Sequence, residues 1–373
     1  MLEEFEKTME FCSACPRLCQ SACPVAMNDA NEAHTPWGLM QTLNMVRKGE
    51  IPLDAEAAAL SYQCTNCRAC TSQCEHGNVI PPVLQEVRKL AVEKEIAPPE
   101  IAGFLAKFHR HNNPFSKDLL HKLKGVISPK YLGMDSNVVY FPSCTTIAKC
   151  PEIVSDTFSL FEKLKINFVG VYPEAMQCCG YPLISGGMEE DFLDVAEINY
   201  HALKKYKTVI SGSPACVYTM RETYKKYSLG LGNRVVTINQ FLEPYLENIN
   251  YRLKKGIRTK LMYHDPCFSS RYLKEVDLPR EMISHVSGYQ PLEFFDHGAK
   301  SGCSGQGGCY SVVAQDNSNA IAKRKLEEVV DNNVQTVVTQ CPSCVHKFRK
   351  NSQRLVIKDL ISYLNDCIEG VKE

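Results

Sequence analysis

The chain has 373 residues, and its 42 Lys+Arg are balanced by 42 Asp+Glu, for a formal net charge of zero. That length admits two or three domains with ample cores. The even balance, without a basic stripe or a block of like charge, excludes the electrostatics of a nucleic-acid binder or of a protein held on an acidic membrane surface. No apolar run reaches transmembrane length, and the N-terminus MLEEFEKTMEF is acidic, without the basic region and apolar core of a signal peptide. The expectation is a soluble, cytoplasmic protein with no nucleic-acid partner and no direct membrane insertion. Nineteen cysteines are the outlier. An odd number in a chain without an export signal points to thiolates for metals or redox chemistry, not to a disulfide framework.

Eight of them come before residue 75. CSACPRLCQSACP holds Cys12, Cys15, Cys19 and Cys23, and CTNCRACTSQCE holds Cys64, Cys67, Cys70 and Cys74. The second group is C-x2-C-x2-C-x3-C, the run of two-cluster ferredoxins, in which the fourth cysteine serves the other cluster. The run predicts one [4Fe–4S] cluster on Cys12, Cys15, Cys19 and Cys74, and another on Cys64, Cys67, Cys70 and Cys23. The first group departs from it by one extra residue before Cys19. Glu75 replaces the usual proline after the last cysteine, and its charge should lower a nearby potential. The competing reading, two four-cysteine zinc sites, calls for C-x2-C pairs around a long insert, not four cysteines in one run.

Between these groups Thr35-Pro36 signals a helix start, and Leu39, Leu43 and Val46 repeat at helical spacing. Val83, Val87, Leu90 and Ala91 mark a second amphipathic helix. Nothing there alternates like a strand, so residues 1–100 read as a helical ferredoxin-type domain. Trp37, Met40 and Met45 read as core. A linker over 101–136 follows, with His109, His111 and His121 as surface side chains.

From about residue 137 the chain reads twice through one plan. NVVYFPSC ends at Cys144 and TKLMYHDPC at Cys267; CCG at 178–180 answers CSG at 303–305; KTVISGSPAC ends at Cys216 and QTVVTQCPSC at Cys344. The offsets are 123, 125 and 128 residues. TINQFLEPYL near 240 and IKDLISYL near 360 both read as helical. Strands alternate with helices at 189–206 and 315–331, the pattern of an α/β unit. The domains are therefore 137–255 and 256–373. In such folds the loops after strands gather at one sheet edge, so three loops per half can bring their thiolates together. The adjacent Cys178 and Cys179 need a turn to reach one centre, and Gly180 supplies it.

Cys144 and Cys178 are separated by 33 residues, as are Cys179 and Ser213; the second-half gaps, Cys267 to Cys303 and Ser304 to Cys341, are 35 and 36. This spacing, with CCG, HDPC and CPSC, resembles the cysteine-rich CCG domain of heterodisulfide reductases. Behind a two-cluster ferredoxin it is similar to the D subunit of those enzymes. It is also similar to the iron–sulfur subunits of glycolate oxidase, lactate utilisation and anaerobic glycerol-3-phosphate dehydrogenase, and to the D subunit of class II benzoyl-CoA reductase. The resemblance implies an α+β multidomain chain, a helical ferredoxin-type domain followed by two repeated α/β CCG domains. In that family a complete motif uses five cysteines for a non-cubane [4Fe–4S] cluster that can cleave disulfides. Here Ser213 and Ser304 each replace one. The first centre keeps Cys144, Cys178, Cys179 and Cys216, and the second keeps Cys267, Cys303, Cys341 and Cys344. Four thiols suit a cubane cluster, a reduced form of the special cluster, or zinc at one of the two sites.

Cys309 is a candidate replacement ligand, Cys150 and Cys367 read as small buried hydrophobes, and His264 as a hydrogen-bond donor to the centre or an ordinary strand-end contact. SGCSGQGG looks like a phosphate loop but lacks the Lys-Ser/Thr that completes one. The resemblance implies an electron-transfer subunit of a hetero-oligomeric oxidoreductase, passing single electrons between two [4Fe–4S] clusters and a CCG-bound centre, with a flavin-containing or catalytic partner. The alternative is a catalytic disulfide reductase subunit.

Overall fold

The computed structural model describes residues 2–173, 178–248, 251–254 and 260–371; Gln177 and the domain boundary expected at 255 and 256 lie outside them. Before Val138 the described chain is helical. Thr35 Oγ1 accepts from Gly38 N at 2.9 Å, which with Pro36 at the first position starts the helix Pro36–Arg47. Leu39, Met40 and Leu43 of that helix pack with Val83, Leu84 and Val87 of the helix Ile80–Glu93. Trp37 is half-buried under the Arg17 guanidinium and donates to Ser13 O at 3.2 Å. Residues 101–136 are packed: Ile101, Phe104, Phe108, Leu119 and Leu123, on the helices Pro99–His109 and Leu119–Lys124, join the main core.

Two four-stranded parallel sheets follow. The first holds β1 (Val138–Tyr140), β2 (Val169–Val171), β3 (Thr208–Ser211) and β4 (Val235–Thr237) in the order β2-β1-β3-β4. After β5 (Tyr251–Leu253), the second holds β6 (Leu261–His264), β7 (Leu292–Glu293), β8 (Thr336–Thr339) and β9 (Val356–Asp359) in the matching order β7-β6-β8-β9. Equivalent residues hold equivalent registers: Val139 pairs with Gly170 and Val209, and Met262 with Leu292 and Val337. β5 pairs antiparallel with β10 (Ile368–Val371), tying the connection between the halves to the C-terminal end. TINQFLEPYL and IKDLISYL are not helical throughout. Thr237 closes β4 and Ile357–Asp359 close β9 before each helix begins; both are short edge strands that run straight into a helix, and three or four residues carry too little period to separate strand from helix.

The strand order decides where the cysteines go. From the central pair β1 and β3 the chain leaves in opposite directions, which opens a crevice at their carboxyl ends. Cys144 follows β1 and Cys216 follows β3; Cys267 follows β6, and Cys341 and Cys344 follow β8. Both repeats therefore deliver thiols to their switch point.

The glycine-rich stretch after Cys303 is a packing device. A Cβ on Gly307 would stand 2.3 Å from Thr65 O, and one on Gly308 2.4 Å from Cys64 O. Backbone thus lies directly against the ferredoxin loop, and Gly308 also needs its φ of +65°. Gly308→Ala is expected to cost about 1–3 kcal/mol more than Gly49→Ala. Gly49 is also left-handed, but nothing lies within 4 Å of its absent Cβ. Urea denaturation of anaerobic protein measures both, and equal losses would mean the close approach carries no cost.

At the end of β9 the buried Asp359 caps the following helix, accepting from Ile361 N at 3.0 Å, while its Oδ2 has no partner among the described residues. Burial pushes its carboxyl up to about 8. The folded state therefore holds a proton that the unfolded chain releases near pH 4, so stability falls as pH rises from about 4 to 8, by at most about 1.4 kcal/mol per unit. Asp359→Asn, which keeps the cap, is expected to flatten that slope and to be the more stable chain at pH 8. A denaturation series with parallel slopes for the two chains would contradict this.

Candidate metal centres

Cys12, Cys15, Cys19 and Cys74, the first expected set, line one small cavity with Phe11, Arg17, Trp37, His76 and Asn78, and Cys70 reaches the same cavity. Asn78 was not foreseen: its backbone N–H donates to Cys74 Sγ and its side chain to Cys12 Sγ, both at 3.4 Å. The second set is Cys23, Cys64, Cys67 and Cys70. Cys70 feels the charge of Cys64, Cys67 and Cys23, and also of Cys19 from the first set, so the two sets are neighbours. Burial pushes the Cys12, Cys23, Cys64 and Cys70 thiols up, and Cys19 to about 11. Buried thiols that oppose one another's ionisation are fitted to a cation that displaces their protons.

In the first half Gly180, at φ +84°, turns the chain so that both cysteines of the pair enter one group. Cys144 Sγ lies 3.6 Å from Cys178 Sγ, and Cys179 accepts from both Cys178 and Cys216, which holds it well below the usual thiol range. Ser213 hydrogen-bonds to Cys216. The backbone of the pair is fixed from outside, with Asn199 donating to Cys178 O at 2.9 Å and Tyr224 to Cys179 O at 3.0 Å. In the second half Cys303 contacts Cys267, and Cys341 contacts Cys344. Ser304 Oγ donates to Cys344 Sγ at 3.3 Å, and Gly305 N to Cys303 Sγ at 3.3 Å. Each serine that interrupts a motif thus stays in its group as a hydrogen-bond donor. Among the described residues no three His, Cys, Asp or Glu side chains are arranged to hold a single metal ion.

The two cysteine systems meet. Cys67 and Cys303 are both buried and pack in one cluster with Ala69, Ala22 and Cys267. Arg271, four residues beyond Cys267, donates from Nε to Cys67 O at 2.5 Å and from Nη1 to Ser301 O at 2.6 Å. Tyr272 donates to Asn66 O at 2.7 Å, and Arg68 stacks 3.9 Å from the centre of its ring. An open cleft of about 340 Å³ between Cys23–Asn28 and the second half also reaches Cys303.

The remaining candidates fall elsewhere. Cys309 donates to Pro182 O at 3.4 Å and lies 3.8 Å from Ser185 Oγ, against the first half and away from the second-half thiols. Cys150 packs with Met262 and Phe348 in the second-half core, and Cys367 is buried in the main core. His264 stands edge-on between Phe294 and Phe348, and neither ring nitrogen has a partner among the described residues. Burial holds it neutral, far below the ordinary histidine range. Arg88 and Arg271 were missed. Arg88 was visible as a cation on the buried stripe of Leu84, Val87 and Ala91, whereas nothing local distinguishes Arg271.

Comparison with known proteins agrees with this architecture. A 4Fe-4S dicluster domain matches residues 8–78, and a cysteine-rich domain, CCG, matches twice, at 138–221 and 261–349. The D subunit of the heterodisulfide reductase of Methanosarcina acetivorans is 27% identical over 76% of this chain and 71% of its own length. The B subunit of the fumarate reductase (CoM/CoB) of Methanothermobacter marburgensis is 25% identical over 87% of this chain and 65% of its own. Lactate utilization protein A of Oceanobacillus iheyensis is 22% identical over 62% of this chain and 98% of its own. The domain content supports several [4Fe–4S] clusters and an electron-transfer role. No described helix is long and apolar enough to cross a membrane. A ferredoxin-type dicluster segment followed by two cysteine-rich repeats makes this chain a member of the CCG-domain iron–sulfur protein family.

Proposed function

We propose that the chain is the electron-relay subunit of a hetero-oligomeric oxidoreductase, working with a flavin-containing or catalytic partner. In this reading Cys12, Cys15, Cys19 and Cys74 hold the outer [4Fe–4S] cluster and Cys23, Cys64, Cys67 and Cys70 the inner one. Cys267, Cys303, Cys341 and Cys344 then hold the centre that the inner cluster serves, and Cys144, Cys178, Cys179 and Cys216 a further centre. The observation that carries the reading is the packing of Cys67 against Cys303 in one buried cluster. A ligand of one centre in contact with a ligand of the next gives single electrons a short path. The clusters would supply one-electron chemistry; the protein supplies the amide and hydroxyl donors to sulfur from Asn78, Gly305 and Ser304, and the packing that buries Cys67 against Cys303.

A second reading, reduction of a sulfur substrate at the second-half centre, is favoured by the cleft that reaches Cys303. It is weakened by the serine at 304, since a protonated hydroxyl is a poor iron ligand.

Iron, sulfide and zinc counts with Mössbauer and EPR spectra of anaerobic protein test the relay. About twelve irons or more per chain, three clusters' worth, are expected. About eight irons with one or two zincs would leave the relay without its inner terminus. Cys178→Ala is expected to remove the first-half signal and spare both ferredoxin-type signals. Turnover of a disulfide substrate by the viologen-reduced chain alone would favour the second reading.

A further inference from the structure

Two guanidinium groups without a carboxylate partner among the described residues, the buried Arg88 and the half-buried Arg271, bond to the backbone of the second ferredoxin-type set. Arg88 donates to Cys64 O at 3.2 Å, and its other hydrogen bonds also go to backbone carbonyls. Arg271 donates to Cys67 O, Ala299 O and Ser301 O. Its Nη2 is buried without a hydrogen-bond partner among the described residues, and its charge bears on Cys67, Cys267 and Cys303. The first set is placed differently. Its sulfurs receive neutral N–H groups from Asn78, and Glu75 adjoins Cys74 at the surface. Of the nearby cations, Arg17 is paired with Glu32, and Arg47 with Glu3, Glu6 and Glu10.

A [4Fe–4S] centre on four thiolates is anionic, and one-electron reduction adds a further negative charge without breaking a bond or moving a proton. In a desolvated site that charge is costly unless a fixed cation stands near. We propose that Arg271, with Arg88, makes the centre on Cys23, Cys64, Cys67 and Cys70 a stronger one-electron acceptor than the centre on Cys12, Cys15, Cys19 and Cys74. Electrons arriving at the outer centre then run inward, toward Cys303. This rests on the relay reading, but it concerns the order of potentials, which that reading leaves open.

EPR-monitored redox titration with dithionite, on the full anaerobic chain, tests it. Cys15→Ser and Cys23→Ser variants assign the signals to the outer and inner centres. The inner centre should reduce at the higher potential. In Arg271→Gln its one-electron reduction constant should fall tenfold or more, about 59 mV, while the outer centre is unmoved. Arg271→Lys, which keeps the charge, should restore most of the shift. An inner potential at or below the outer one in the unmodified chain, an unmoved potential in Arg271→Gln, or equal changes in Gln and Lys variants would each overturn the proposal. Iron and sulfide counts on the same samples separate this from failure of the relay. Fewer than about eight irons would remove the two-cluster premise and the inference with it, whereas full counts with unmoved potentials would overturn the inference alone.

Discussion

The arrangement depends on one buried cation. Arg88 projects from the apolar face of the helix Ile80–Glu93 and places all five of its N–H donors on backbone carbonyls. Ser61 O and Cys64 O belong to the ferredoxin segment, Ser185 O to the first repeat and Gly308 O to the second. Charge-assisted hydrogen bonds are worth about 1.5–3 kcal/mol each, and a guanidinium without them is not tolerated at this depth. The three segments must therefore meet at this point together. Gly187 lets Arg88 O approach within 2.3 Å of where a Cβ would stand, and Tyr62 adds a bond to Gly186 O at 2.9 Å.

With that point pinned, the ferredoxin loop 64–70 is pressed onto the second repeat. Gly307 and Gly308 admit its backbone, Arg271 and Tyr272 hold the carbonyls of Cys67 and Asn66, and the Cys67 and Cys303 thiols come into contact as a result. The first repeat attaches by other means. The backbone of its Cys178–Cys179 pair is held by Asn199 and Tyr224 from its own fold, and among the described residues no ferredoxin cysteine shares a core cluster with the first-repeat thiols. Two repeats of common plan are thus used unequally: the second brings a cysteine, Cys303, against the ferredoxin loop, whereas the first meets the ferredoxin segment through its backbone at Ser185 and Gly186.

Much was legible from the amino-acid order alone. The two early cysteine runs follow from spacing, because ligands to one cluster lie within a loop or two of each other, and a 4Fe-4S dicluster domain matches the segment that carries them. The helix at Pro36 follows from its cap, and the doubled α/β plan from offsets that barely drift between halves. Gly180 followed from the need to turn two neighbouring side chains toward one group. The strand end at Ile357–Asp359 was read as helix because a short edge strand that runs directly into a helix shows too few residues to reveal its own period.

Which cysteines stand next to which across segments was decided by the tertiary structure. Cys309 is close to Cys303 in sequence yet belongs to the contact with the first repeat, while Cys67 and Cys303, 236 residues apart in number, touch. SGCSGQGG carries a spacing that suggests a ligand loop, and its glycines instead make room for another backbone. Arg271 is an ordinary surface-type residue until the ferredoxin loop closes over it. Local spacing and periodicity record what a segment does with its own neighbours in the chain. The approach of distant backbones, and the buried charges that hold them, arise when separate segments pack, and single positions carry no period from which they could be read.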